Sequence, residues 1–360
     1  MAAFTNYTPG PSQLYFTVSD HIKSAIKNNI LSLSHRSKAF EAIVEKAVRE
    51  LKHLLQLPEN YTVVFTSSAT EIWERSIENL VEEKSIHYVN GSFSARYAEI
   101  AAQLQKHVSL IQVEEGKGFE LPESIHPHAE FVAITHNETS TGVSWPIEDL
   151  NKLRASYPNA LIMIDAVSSL PYPDFNYDVI DGVFFSVQKA FGLPPGLGVW
   201  CVNQKCLAKA NDLQKKKINI GTYHNLPTLH SFAVKNQTPE TPNTLGIYLL
   251  GQVAEDFNRR TIHTIRKETE YKAAILYQLL DQHPILKPFV EKKEHRSKTV
   301  IVAQCGEVTQ SVNQFLQQHG IMPGDGYGKN KTQQLRFANF PAHSKEQFEW
   351  LVDTLDKFKG

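Results

Sequence analysis

Cysteine, net charge and long apolar runs are all in short supply in this sequence. Its three cysteines, Cys201, Cys206 and Cys305, form no CxxC pair. So low and odd a number gives no disulfide framework and suits a reducing cytosol. With 37 basic and 38 acidic residues the net charge is −1, which leaves no footprint for nucleic acid and no polybasic patch for a membrane surface. No apolar run approaches the ~18 residues that a bilayer span requires. The opening MAAFTNYTPGPSQ lacks the charged and apolar regions of a secretory signal. Fifteen histidines are present, but no close pair sits in a setting such as HExxH, so no metal site is expected. The remaining class is a cytoplasmic globular protein, and 360 residues at 41% hydrophobic content are enough for two domains.

What is present is alternation. Apolar runs read as strands at 61–66, 85–89, 107–113, 131–136, 160–167, 182–187 and 197–202. Helical patterns fall between several of them, from Thr70 to about Glu83, over about 94–106, and after Pro146, which stands near a helix start. This predicts an α/β fold with a mostly parallel sheet covered by helices. Ligands of such sheets sit beyond the carboxyl ends of the strands, which marks Thr66, His136, Asp165 and Lys189 as candidates. Residues 1–15 read as an extended arm and 16–243 as the large domain. A connecting helical stretch covers 244–283. The segment 284–360 reads as a small C-terminal α+β domain with strands at 298–305 and 333–340, a helix over 307–319 and a last helix from Ser344.

Several strand ends carry chemistry-bearing residues. VIDGVFFSVQKAFGLPPGLGVWCV sets Lys189 where a buried strand runs out, although lysine is ordinarily a solvated residue. LIMIDAVSS puts Asp165 directly after four apolar residues. It can cap a turn or act as counter-ion to a buried cation. A lysine desolvated beside it gains a depressed pKa and amine nucleophilicity. Pyridoxal phosphate asks a protein for such a lysine, for a carboxylate at its ring nitrogen, and for donors to its phosphate. VVFTSSATEIWERSIENL offers the donors, with Ser68, Ala69 and Thr70 linking a strand to a helix N-terminus. Ser68-x-x-Glu71 equally fits an ordinary capping box. Phe93 is placed to stack on a flat ring or to join the core. Asn137 and Thr139 can bond a ring substituent or cap the next turn.

Together these stretches resemble the class V aminotransferases of the fold-type I pyridoxal-phosphate family, over nearly the whole chain. YTPGPS is similar to that group's N-terminal arm, SHRSKAF to its His-Arg segment and HNETSTGV to its threonine turn. DAVSSLP resembles the aspartate motif and SVQKAFGLPPGLG the Schiff-base lysine motif. ETPNT resembles a turn that reaches the second subunit's phosphate, and LRFANFPAHS the segment of the carboxylate-binding arginine. The resemblance implies a pyridoxal 5′-phosphate enzyme acting on small amino acids and 2-oxo acids, as a homodimer with shared active sites. Lys189 and Asp165 would be catalytic. Ser68, Ala69, Thr70, Phe93, Thr139, Gln188 and Thr241 would join them in holding the cofactor. Arg336 would take the substrate α-carboxylate, and His35 and Arg36 a distal anion across the dimer.

Two branches of the family compete. The lysine and aspartate motifs look like alanine–glyoxylate and serine–pyruvate aminotransferases. SHRS and LRFANFPAH look more like the phosphoserine branch and would contact substrate, so the expected reaction is amino-group transfer between 3-phosphoserine and 2-oxoglutarate in serine biosynthesis. A more distant alternative, a lyase such as a cysteine desulfurase, would need a mobile-loop cysteine, and neither Cys201 nor Cys305 is an obvious candidate. The chain departs from the phosphoserine pattern at three places. The phosphate turn has no arginine, Lys329 and Lys331 stand where a His-Arg pair often precedes the carboxylate arginine, and Glu240 replaces an asparagine before Thr241.

Overall fold

Seven strands form the central sheet of the computed structural model, which describes residues 4–121 and 128–360. In spatial order they are Thr62–Thr66, Gly198–Val202, Gly182–Ser186, Leu161–Asp165, Phe131–Thr135, Lys84–Val89 and His107–Gln112. Gly198–Val202 runs antiparallel to both neighbours, and the other pairs are parallel. Burial on both faces explains the near-continuous apolar runs. Val132, Ile134, Ile162, Ile164, Val183 and Phe185 belong to one core cluster, while Phe131, Ala133, Leu161, Met163 and Phe184 belong to another. Successive side chains of a strand point to opposite faces, so each layer takes every second residue.

The expected strands and helices of this half are present, with ends displaced by a few residues, as for Ala69–Leu80 and Ser92–Gln103. The expected helical stretch from Thr244 is two helices, Thr244–Arg260 and Ile262–Gln282. They part at Thr261, whose φ of +68° ends the first and whose side chain accepts from the Thr264 amide at 3.3 Å to cap the second. Helix Lys38–Leu55, capped by Ser37, is an addition to the sequence reading.

The second sheet has five strands, in the order Thr5–Tyr7, Ile321–Asp325, Gln334–Ala338, Val300–Gln304 and Lys287–Pro288. Only two of these were expected. The N-terminal arm is part of this sheet, with Thr5 paired to Ile321 in parallel. Tyr7 anchors it by donating to the Gln347 carbonyl at 2.7 Å and stacking on His343. A three-residue strand is too short to announce itself by alternation. The arm's first three residues lie outside the described ones. Among the described residues no helix is long and apolar enough to cross a membrane, and no three metal-binding side chains gather.

Candidate active site

Parallel pairing brings three strand ends together. Thr135 is in register with Asp165, and Asp165 with Phe184, so the turn after Gly182–Ser186 opens beside both. The helix Ala69–Leu80 starts at the same edge, because Thr62–Thr66 points the same way as Gly182–Ser186 through their shared antiparallel neighbour. Between them lies a cleft of about 500 Å³, open to solvent on one side. Ser68, Ala69, Thr70, Phe93, Thr139, Asp165, Gln188 and Lys189 all line it, as do Trp73, Thr135, Asn137, Val167 and Ser186.

Lys189 is 9% exposed. Its Nζ donates to Thr139 Oγ1 at 3.2 Å and lies 5.2 Å from the centre of the Phe93 ring. Burial pulls its pKa down to about 8; Asp165 opposes the shift and Arg336 adds to it. The Thr139 hydroxyl passes its own proton to Ser168 Oγ at 2.8 Å, and Ser168 donates to the Asn137 carbonyl at 3.0 Å, which fixes the turn under the lysine. On the other side the arm closes in. Gly10 has φ +153°, and a Cβ there would stand 3.0 Å from the lysine stem. The Ser12 amide donates to the Gln188 carbonyl at 3.0 Å.

Asp165 is 3% exposed. Burial pushes its carboxyl up to about 6, against the Val167 amide at 3.0 Å and the Trp73 indole at 2.8 Å, which both stabilise the ionised form. Trp73 thus aims the carboxylate. The helix start beside it is capped as the sequence suggests: Ser68 Oγ accepts from the Glu71 amide at 3.1 Å. The reciprocal half differs, since Glu71 receives Ser67 N and Oγ at 2.8 and 2.6 Å instead of the Ser68 amide. The amides of Ala69 and Thr70 belong to the first turn, which has no acceptor four residues back. Phe93 is held by the fully buried Glu138, which accepts from the Ser94 amide and hydroxyl at 2.9 and 2.8 Å and so caps Ser92–Gln103.

The remaining candidates fall elsewhere. Arg336 spans the two halves, with Nε donating to the Asp325 carbonyl at 2.6 Å and a terminal N–H to the Thr139 carbonyl at 3.2 Å. His35, Arg36 and Thr241 do not line the cleft of their own chain. They gather in a separate patch, where His35 Nδ1 lies 3.3 Å from Thr241 Oγ1 and Arg36 donates to the Thr238 and Pro239 carbonyls at 2.6 and 3.0 Å. His136, marked by its strand-end position, turns away and packs edge-on against Phe175. Thr66 donates to the Ser68 carbonyl at 3.0 Å and stays out of the cleft. All three cysteines are buried, and none lines the cleft, so the thiol a desulfurase needs is missing there. Trp73, Ser168 and Gly10 were not singled out from the sequence.

The model of the aminotransferase class-V family matches residues 5–329. A phosphoserine aminotransferase from Cytophaga hutchinsonii, known as a crystal structure, is 47% identical over 100% of both chains, with a TM-score of 0.98. A phosphoserine aminotransferase from Rhodococcus opacus is 28% identical, covering 96% of this chain and 93% of its own. An alanine–glyoxylate aminotransferase from Nostoc sp. shares the fold at 21% identity, with a TM-score of 0.84 over 99% and 95% of the two chains. With its lysine and aspartate at adjacent strand ends of a fold-type I sheet, this chain belongs to the class-V aminotransferase family.

Proposed function

We propose that this chain is a pyridoxal-phosphate-dependent transaminase that moves an amino group between 3-phosphoserine and 2-oxoglutarate, acting in the cytoplasm as a homodimer with shared sites. The observation that carries the reading is the buried pair of Lys189 and Asp165 facing one cleft. The 47% identity to a phosphoserine aminotransferase over the whole chain supports the substrate.

The residues fit the cofactor. Besides the amine and the carboxylate, the cleft holds two buried acceptors without partners, Gln188 Oε1 and Asn137 Oδ1. The open amides of Ala69 and Thr70 suit a phosphate. When bound, pyridoxal phosphate supplies an aldehyde and a ring that takes up an electron pair from the substrate Cα. Lys189 Nζ, lowered to about 8, is readily neutral, so it would hold the cofactor at its aldehyde and would serve as the base that carries the substrate Cα proton. Asp165 would hold a proton at the ring nitrogen, and the Trp73 indole keeps the carboxylate aimed. Phe93 and Val167 would hold the ring by apolar contact, and Thr139 and Gln188, which line the same cleft, would supply its polar partners. Arg336 receives the α-carboxylate.

The patch of His35, Arg36 and Thr241 supports the dimer, since it is assembled away from its own chain's cleft and would serve the second copy's. Mixing Arg36→Ala with Lys189→Ala subunits should restore up to about a quarter of the unmodified activity on random exchange. No recovery, with exchange confirmed, would place both groups in one subunit's site. Substrate choice is tested by a half-reaction panel, read as the conversion of the bound cofactor to its amine form. Phosphoserine and glutamate should both react, with alanine far slower. Arg36→Ala should weaken the two anionic donors by about 2–4 kcal/mol in kcat/KM and spare the alanine reaction. Arg336→Ala should hurt every donor alike. A best rate with alanine or serine would move the chain to the alanine–glyoxylate branch.

A further inference from the structure

Two carboxylates stand close to the helix start that would take the cofactor phosphate, and the chain has no arginine in that turn. Glu71 is the third residue of Ala69–Leu80, so it competes for the same positive end of the helix. Glu240 directly precedes Thr241. Arg75, one turn further along the helix, is engaged by Glu74 and Glu78 at 2.5 and 2.7 Å. An anion would meet net repulsion here unless another cation intervenes.

His224 is that cation. It is 3% exposed and sits between the two carboxylates. Its Nδ1 is hydrogen-bonded to Glu71, and its Nε2 lies 3.0 Å from Glu240 in an ion pair set off the axis of a hydrogen bond. Only the imidazolium presents a proton on both nitrogens. The ring is pressed against Tyr223, with centres 4.0 Å apart. Its own turn is fixed from below, where Asn225 caps the helix Leu226–Ala233 by accepting from the Thr228 amide at 2.9 Å.

We propose that His224 is a positioning residue for phosphate binding: as an imidazolium clamped by Glu71 and Glu240, it cancels part of the repulsion each carboxylate would exert on a phosphate, and it ties its own chain's helix start to the Thr241 turn that would serve the second copy's site. The inference rests on the pyridoxal-phosphate reading above, and it accounts for two of the sequence departures together, the absent arginine and the glutamate before Thr241. The flanking carboxylates overcome burial and raise the His224 pKa to about 9, so the charge is present at neutral pH. The charged and titratable groups around it are Glu71, Arg75, Glu74 and Glu78 on the helix, and Tyr223 and Glu240 on its own side.

The test compares two probes on the full chain, pyridoxamine phosphate and pyridoxamine, by fluorescence titration. Their affinity ratio isolates the phosphate, and groups that meet the ring, Lys189 included, largely cancel. His224→Gln should lower the ratio on the order of tenfold, as loss of one charge-assisted contact would. Adding Glu240→Gln to His224→Gln should restore much of it, because the uncompensated carboxylate is gone. A purely structural brace is already cut by His224→Gln and predicts no recovery in the double variant, and an unchanged or still lower ratio there would overturn the proposal. In the unmodified chain the ratio should hold from pH 7 to 8 and fall as pH passes about 9; this measurement also decides the matter if His224→Gln does not fold, and a flat profile refutes the idea. If the unmodified chain shows no preference for the phosphorylated probe at pH 7, the cofactor reading fails. If it does and His224→Gln keeps it, only the role of His224 fails.

Discussion

Lys272 and Lys189 are both lysines that folding removes from water, at 1% and 9% exposure. Burial lowers both, to about 7 and about 8. Their surroundings differ. Lys272, on Ile262–Gln282, gives its protons to the Phe340 and His343 carbonyls at 3.1 and 2.8 Å and lies over the Phe348 ring. It ties the helix to the segment after Gln334–Ala338, and no carboxylate touches it. Lys189 has one hydroxyl partner, an open cleft and the field of a buried carboxylate. A depressed pKa therefore does not separate a nucleophile from a strut. Saturation by carbonyls marks the strut, and an unfilled side facing a space marks the reactive amine.

Exchanging the two should produce the largest contrast. Lys189→Ala should abolish transamination and leave the fold intact. Lys272→Met should leave the Phe340 and His343 carbonyls without their donor, at a cost of about 1–3 kcal/mol in stability, while kcat stays within a few-fold. Borohydride reduction of the cofactor-loaded protein, followed by peptide mapping, should tag the Lys189 peptide only. A tag on Lys272 would reverse the two assignments.

Asp165 is the next lever, since the carboxylate whose field reaches Lys272, Glu268, is partly exposed and already paired with Arg260, whereas Asp165 is buried. Asp165→Asn keeps the shape and a hydrogen-bonding side chain but removes the charge. It should retain cofactor weakly and lose about 1.5–3 kcal/mol of transition-state stabilisation, the worth of a buried charge-assisted hydrogen bond. Near-unchanged turnover would make Asp165 a turn cap.

This contrast was half legible in the sequence. Lys189 and Asp165 announced themselves because each interrupts an apolar run at a strand end. Ser68, Ala69 and Thr70 followed from the strand-to-helix junction. Lys272 left no such mark, as it sits among polar helical residues and is buried only once Phe340 and His343 fold over it. Trp73 reads as a core aromatic at helical spacing, and only tertiary packing turns its indole toward Asp165. His136 shows the limit of a rule about place. Of Thr135, His136 and Asn137, the outer two line the cleft and the middle one faces Phe175, as strand alternation requires. The extended arm is legible from its sequence, but its pairing with Ile321–Asp325 depends on contacts more than 300 residues away.

The smallest effect is in stability against pH, and it sharpens the comparison because it concerns both lysines. Each has a folded pKa below the ordinary lysine value of about 10.4. Between the two values the unfolded chain holds more protons than the folded one, so stability rises with pH. For Lys272 the rise should begin near pH 7 and for Lys189 near pH 8. Each contributes at most about 1.4 kcal/mol per pH unit. Thermal melts of the cofactor-free chain from pH 6.5 to 9.5 stay below the range where tyrosines ionise. Lys272→Met should flatten the curve from pH 7 upward and Lys189→Met only from pH 8. Cofactor should erase the Lys189 contribution alone, because an amine bound to the aldehyde no longer titrates as a free lysine, while Lys272 keeps its carbonyls in both states. A Lys272 contribution that vanished with cofactor would mean that the two lysines are coupled, and that the helix Ile262–Gln282 reports on the cleft.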